Sequence, residues 1–154
     1  MHRTTIISGL IVLDTFFLLS LPTALAQDGN AQCANAVRSA KNQIQRTGNV
    51  TIKVRKNNLP QEYQNYPKNR PYGYDFILSG TAVNSVMKSK KLFTEISIDV
   101  IKNCPSVGIV LVGQDMSDYS YIFGFLDENK VVLFQCVNPR DKRGRQWGYL
   151  TCAP

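Results

Sequence analysis

The chain has 154 residues, with 18 basic and 11 acidic side chains, a net charge of +7 and 44% hydrophobic residues. That length and apolar content suit one domain with a real core; they exclude a disordered polyelectrolyte, and the lack of any internal repeat excludes a solenoid. Four cysteines and a single histidine complete the chemically active inventory, and their positions remove most familiar catalytic designs.

The start of the chain reads as a leader. Met1-His2-Arg3 is basic, Ile6 to Leu21 is apolar, and Pro22 precedes the small-residue boundary Ala24-Leu25-Ala26. Basic start, apolar middle and A-x-A end are the parts that an export signal and its peptidase read, so residues 1–26 are expected to be a signal peptide and 27–154 the domain. Asp14 cuts the apolar run below the roughly 20 residues that a membrane span needs. Cys33 lacks the small apolar lead of a lipidation site, so the domain is expected free in the periplasm or outside the cell. The leader carries one base, Arg3, and one acid, Asp14, so cleavage leaves the strong positive charge in place.

The only histidine, His2, would leave with that leader. A domain without imidazole has no Ser-His-Asp triad, no Cys-His dyad, no histidine-based nuclease site and no histidine-ligated metal. An even cysteine count in an exported chain reads as two disulfides, which removes the thiolate nucleophile as well. No C-x-x-C pair occurs, and no cofactor is expected. Of the three possible pairings of Cys33, Cys104, Cys136 and Cys152, we favour Cys136 with Cys152, closing a short loop. Cys33 with Cys104 would then tie the start of one helix to the end of another.

Along the chain, Cys33, Val37, Ala40 and Ile44 recur at helical spacing and predict an amphipathic helix over Ala31–Arg46, stopped by Thr47-Gly48-Asn49. Asn49–Arg55 alternates apolar and polar, as a half-buried strand does. Lys56–Tyr72, with three prolines, reads as a loop, and Tyr74–Ser79 as a second strand. A helical region, interrupted near Ser89-Lys90-Lys91, is expected from Val83 towards Cys104. Three strands then follow as a meander: Val107–Gly113, Tyr119–Leu126 and Val131–Val137. The order helix, strand, strand, helix, three strands predicts an α+β domain, a mostly antiparallel sheet of about five strands with two or three helices on one face.

Two clusters stand out as candidate contacts. Arg140, Lys142, Arg143 and Arg145 crowd a segment between two cysteines, where guanidinium groups would hold phosphate, sulfate or carboxylate. Tyr63, Tyr66 and Tyr72 interleave with Lys68 and Arg70 in the long loop, and with Trp147 they offer an aromatic contact surface. Packing under the loop is the plainer account of those rings, as a solvated hairpin is of the basic run. Asp115 and Asp118 lie in the turn after the third strand, and Asp127 and Glu128 in the next. Those turns fall at opposite ends of a meander, too far apart for shared acid–base work. The apolar faces of the fourth strand, with Tyr119, Tyr121, Phe123 and Phe125 on one side, would pack in the core or form a homodimer contact.

Cys104-Pro105-Ser106-Val107-Gly108, Phe134-x-Cys136 and Trp147-Gly148-Tyr149 with Cys152 together resemble small exported proteins of cyanobacterial genomes. The resemblance implies export and the cysteine framework, and it brings no activity and no site. The sequence thus leads to an exported, basic, non-enzymatic binding module. Its partner is expected to be an anionic polysaccharide, a membrane surface or an exported protein rather than nucleic acid. The alternatives are a hydrolase working through carboxylates and an inhibitor of an exported enzyme.

Overall fold

The computed structural model describes residues 24–126 and 130–152. Helix α1 spans Ala24–Gln45 and starts before the expected leader boundary at Ala26. Strand β1 is Thr51–Asn58 and β2 is Tyr72–Ser79; a short 3-10 turn over Leu59–Gln61 opens the loop between them. Helices α2 (Val83–Val86) and α3 (Lys90–Asn103) are separated at the expected interruption, and β3 (Val107–Gln114), β4 (Ser120–Leu126) and β5 (Lys130–Leu133) follow. The α+β class and the order of elements as far as β5 are as the sequence predicts. Both disulfides form as expected, Cys33 with Cys104 and Cys136 with Cys152.

The five strands lie in sequence order, β1-β2-β3-β4-β5. Three pairs are antiparallel, while β2 and β3 run parallel because α2 and α3 carry the chain back across the sheet. The helices bury one face. Ala36, Ala40 and Ile44 of α1, Val86 and Met87, and Phe93, Ile96 and Val100 of α3 meet Ile52, Phe76, Leu78, Val110, Val112 and Phe123 from the strands. Gly80, with φ 115, makes the reversal out of β2 that a side chain would oppose.

The predicted strand Val131–Val137 is two strands. β5 ends at Leu133, and Phe134 swings its ring across Gly124 of β4. A Cβ at position 124 would lie 2.0 Å from the ring's Cε1. The chain then leaves the sheet as β6 (Gln135–Val137), which pairs in parallel with β7 (Tyr149–Thr151) in a separate ribbon. β7 falls in the tail that the sequence left without an element. Asp127 and Glu128 lie outside the described residues, as do residues 1–23. Among the described residues no helix is long and apolar enough to cross a membrane.

Candidate functional site

The sheet face turned away from the helices is only half covered. Alternation puts Ile77 of β2, Ile109, Leu111 and Gly113 of β3, and Ser120, Ile122 and Gly124 of β4 on that face. At one end, the loop after β1 and the C-terminal segment close over Leu59, Ile109 and Ile122 as a second small core. Its keystone is three rings in edge contact: Tyr63 to Phe134 at 5.7 Å, Tyr63 to Trp147 at 5.5 Å and Phe134 to Trp147 at 5.2 Å between centroids. The Trp147 indole N–H donates to the Phe125 carbonyl at 2.8 Å, and a parallel bridge joins Gln64 to Gln146.

The other end stays open as a cleft of about 990 Å³. Ile77, Leu111 and Ile122 form its floor, Phe134, Leu150 and the Cys136–Cys152 disulfide one wall, and Ser117, Asp118 and Tyr119 of the β3–β4 turn its mouth. The hollow has a plain cause in the sequence. Gly113 and Ser120 face each other in the β3–β4 register, so two small residues stand where bulky ones would fill the face. Among the described residues Asp118 is the only carboxylate in the lining, and no lysine or arginine lines it.

Beside the cleft sits a polar cluster. Asp75 is the β2 neighbour of Leu111 and faces Arg55 across β1. The Asn57 amide donates to Asp75 Oδ1 at 2.9 Å, while Asn57 Oδ1 is buried with no partner. Burial pushes the Asp75 carboxyl up to about 6; the charge of Glu62 adds to this and Arg55 opposes it. Glu62 is itself raised by burial. The Tyr63 hydroxyl is pushed to about 12, first by burial and then by Glu62 and Asp75.

A folded-state pKa above the unfolded one means that the fold prefers the protonated acid. Stability from Asp75 is therefore complete below its unfolded pKa near 3.8 and falls as the pH rises towards 6. A shift of that size in a dry site would be worth about 3 kcal/mol, and the partial exposure of Asp75 reduces it to about 1 kcal/mol. Asp75→Asn keeps the acceptor and loses the charge. Urea melts should show it about 1 kcal/mol more stable than wild type at neutral pH and equal to it in acid. A difference that does not shrink with falling pH would contradict this reading of Asp75.

The structure separates the residues that the sequence grouped. Lys142–Arg145 form a 3-10 turn whose cap, Asp141, accepts from the Arg143 N–H at 2.9 Å. Arg143 also donates from Nη2 to Asp141 at 2.6 Å and lies 5.0 Å over the Tyr149 ring. That pairing, through the side-chain hydrogen bond first, holds Asp141 down to about 2. Arg140 and Lys142 are exposed; the side chain of Arg145 lies outside the described residues. The turn backs Thr151, where a Cβ on Gly144 would lie 2.1 Å from the Thr151 hydroxyl, so it supports the cleft wall without lining it.

Of the aromatic quartet, Tyr63 and Trp147 are packed in the second core, and Tyr66 lies against it with the Lys68 ammonium 4.2 Å over its ring. Tyr72 stands apart on β2 with Lys56 3.8 Å above it. The residues that sequence reasoning passed over are Asn57, Glu62 and Asp75 and the cleft floor. Asp75 carried a signal, since a carboxylate inside Tyr74-Asp75-Phe76-Ile77-Leu78 interrupts an apolar strand. No family model, no curated protein and no solved structure matches the chain.

Proposed function

We propose that the protein is an exported, non-enzymatic binding module whose ligand sits in the cleft between the sheet and the β6–β7 ribbon. The observation that carries this reading is the cleft lining: an apolar floor, a polar mouth, and a single carboxylate. Carboxylate-pair hydrolysis needs two acids flanking one bond, and among the described residues this lining offers Asp118 alone. Asp75 accepts from Asn57 and feels the nearby charge of Arg55, beside the cleft rather than in it. Two disulfides favour an oxidising compartment, and the leader-like start of the chain fits export to the periplasm or exterior. Arg140 and Lys142, exposed on the neighbouring turn, would let an anionic surface hold the module in place.

The test is a titration with anilinonaphthalene sulfonate, an aromatic dye that carries one sulfonate. It should bind the folded protein, and Leu150→Glu, which places a like charge in the cleft wall, should weaken binding about tenfold, or roughly 1.4 kcal/mol. Dye affinity untouched by Leu150→Glu would place the site elsewhere. On immobilised heparin, joint replacement of Arg140 and Lys142 by Gln should release the protein at lower salt. Arg143→Gln should change little, because Asp141 already neutralises that charge.

A further inference from the structure

β5 is shorter than the strand it pairs with. β4 spans Ser120–Leu126, but β5 covers only Phe123–Leu126. The last main-chain bond on that side runs from the Phe134 N–H to the Ile122 carbonyl at 2.8 Å, after which the chain leaves for β6 and the Gln135 N–H finds the Gly148 carbonyl at 2.9 Å. In an antiparallel ladder, alternate residues direct their main-chain groups to the same neighbour. Ile122 faces outward, so Ser120 does too, while the Gln114 N–H to Tyr119 carbonyl bond at 3.1 Å shows the other parity facing β3. Ser120 therefore presents an N–H and a carbonyl to the place a longer β5 would have filled. Among the described residues no strand lies there, and this open edge borders the cleft.

A separate feature stands at the same mouth. Met116, at the tip of the β3–β4 turn, has φ 57 and is 98% exposed. A left-handed conformation costs a residue with a Cβ about 1 to 2 kcal/mol, and an unbranched thioether in water gains nothing from packing to offset it. Its neighbours Ser117 and Asp118 line the cleft, and Tyr119 beside them is 49% exposed. An adaptable apolar side chain held out beside an open strand edge and an apolar floor suits a polypeptide better than a small molecule.

We infer that the cleft receives an extended segment of a partner polypeptide, which adds as a strand at Ser120 of β4, continuing the line of β5. The inference rests on the cleft being the ligand site and names its occupant. Main-chain bonds to Ser120 give the segment its direction. Alternate apolar side chains enter over Leu111 and Ile122, Met116 closes over the segment, and Asp118 selects a basic residue at one end. Such a ligand reads as alternating apolar and polar residues with a lysine or arginine at its edge.

The probes are the peptide acetyl-Lys-Val-Thr-Val-Thr-Val-amide, the same peptide methylated on alternate amide nitrogens, and the dye of the previous experiment. The unmodified peptide should displace the dye, and the methylated one should be at least about tenfold weaker on the wild-type protein. Ser120→Pro removes an outward N–H that has no strand partner among the described residues; it should weaken the peptide by a similar factor, and by more than it weakens the dye. Asp118→Asn should weaken the lysine peptide several-fold and leave a threonine-for-lysine version unchanged. Dye binding without displacement by the peptide, or equal displacement by the methylated copy, overturns strand addition and spares the cleft. A wild-type protein that binds no dye overturns both.

Discussion

Joint replacement of Cys33 and Cys104 by alanine should cost about 4 kcal/mol. The bond closes a sequence separation of 71 residues, and in the chain-entropy account a loop of that length restricts the unfolded chain by about that amount. It also lies where the fold has least else to rely on. α1 precedes the sheet, packs along α3, and reaches the strands through a narrow stripe of Ala36, Ala40 and Ile44. The hydrogen bond from Gln32 to Asn103, at 2.9 Å, is exposed and adds little. Cys136–Cys152, with a separation of 16, should be worth about 3 kcal/mol in the same account, and its loss should loosen the β6–β7 ribbon first. Guanidinium melts of the two alanine pairs give the comparison. A Cys33/Cys104 variant as stable as the Cys136/Cys152 variant would mean that chain entropy does not govern here.

Arg70→Ala should cost about 3 kcal/mol, an unusual loss for a loop arginine. Its Nη1 donates to the carbonyls of Ile101 at 2.9 Å and Val107 at 2.8 Å, with Cys104 further off at 3.4 Å. Ile101 and Cys104 belong to the end of α3, where carbonyls have no partner within the helix and where a cation meets the negative end of the helix dipole. The guanidinium also stacks 4.2 Å over Phe125. Removing it takes the donor from the Ile101 and Val107 carbonyls, while Cys104 keeps the Val107 N–H at 2.9 Å; a stranded acceptor costs about 1 to 3 kcal/mol, and the long loop is unpinned from the turn before β3. Arg70→Lys keeps the charge without the fork and the stacking plane, and should recover less than half of the loss. Thermal melts would show a fall of roughly 10 °C for the alanine variant in a domain of this size. A fall of only a degree or two would make Arg70 an ordinary surface residue.

Arg70 also marks where reading the sequence reaches its end. In the sequence it is one base among tyrosines, fit to meet a ligand; in the fold it caps a helix more than thirty residues away, because the loop crosses the end of α3. For Tyr63 and Trp147 the sequence offers contact or packing, with packing the plainer account, and in the fold their rings hold the loop to the C-terminal segment. Local rules served well where the signal is local. Helical spacing in α1 and α3 and alternation in β1 gave the elements, and Pro105 ended α3. Local rules failed at Phe134, where an unbroken apolar run hides a change of sheet that depends on Gly124 ten residues earlier.

The sequence by itself determined the α+β class, the order of the elements as far as β5 and the absence of histidine from residues 27–154, and it favoured the cystine pairs that form, because periodicity, cysteine spacing and composition are properties of the chain alone. Only the tertiary structure decided that β2 and β3 run parallel, that β5 stops short, and that the uncovered half of the sheet becomes a cleft with Asp75 beside it. Those outcomes depend on which segments meet across the sheet. Such meetings are settled by the sum of many weak contacts between residues far apart in sequence, and no single stretch of the chain contains that sum.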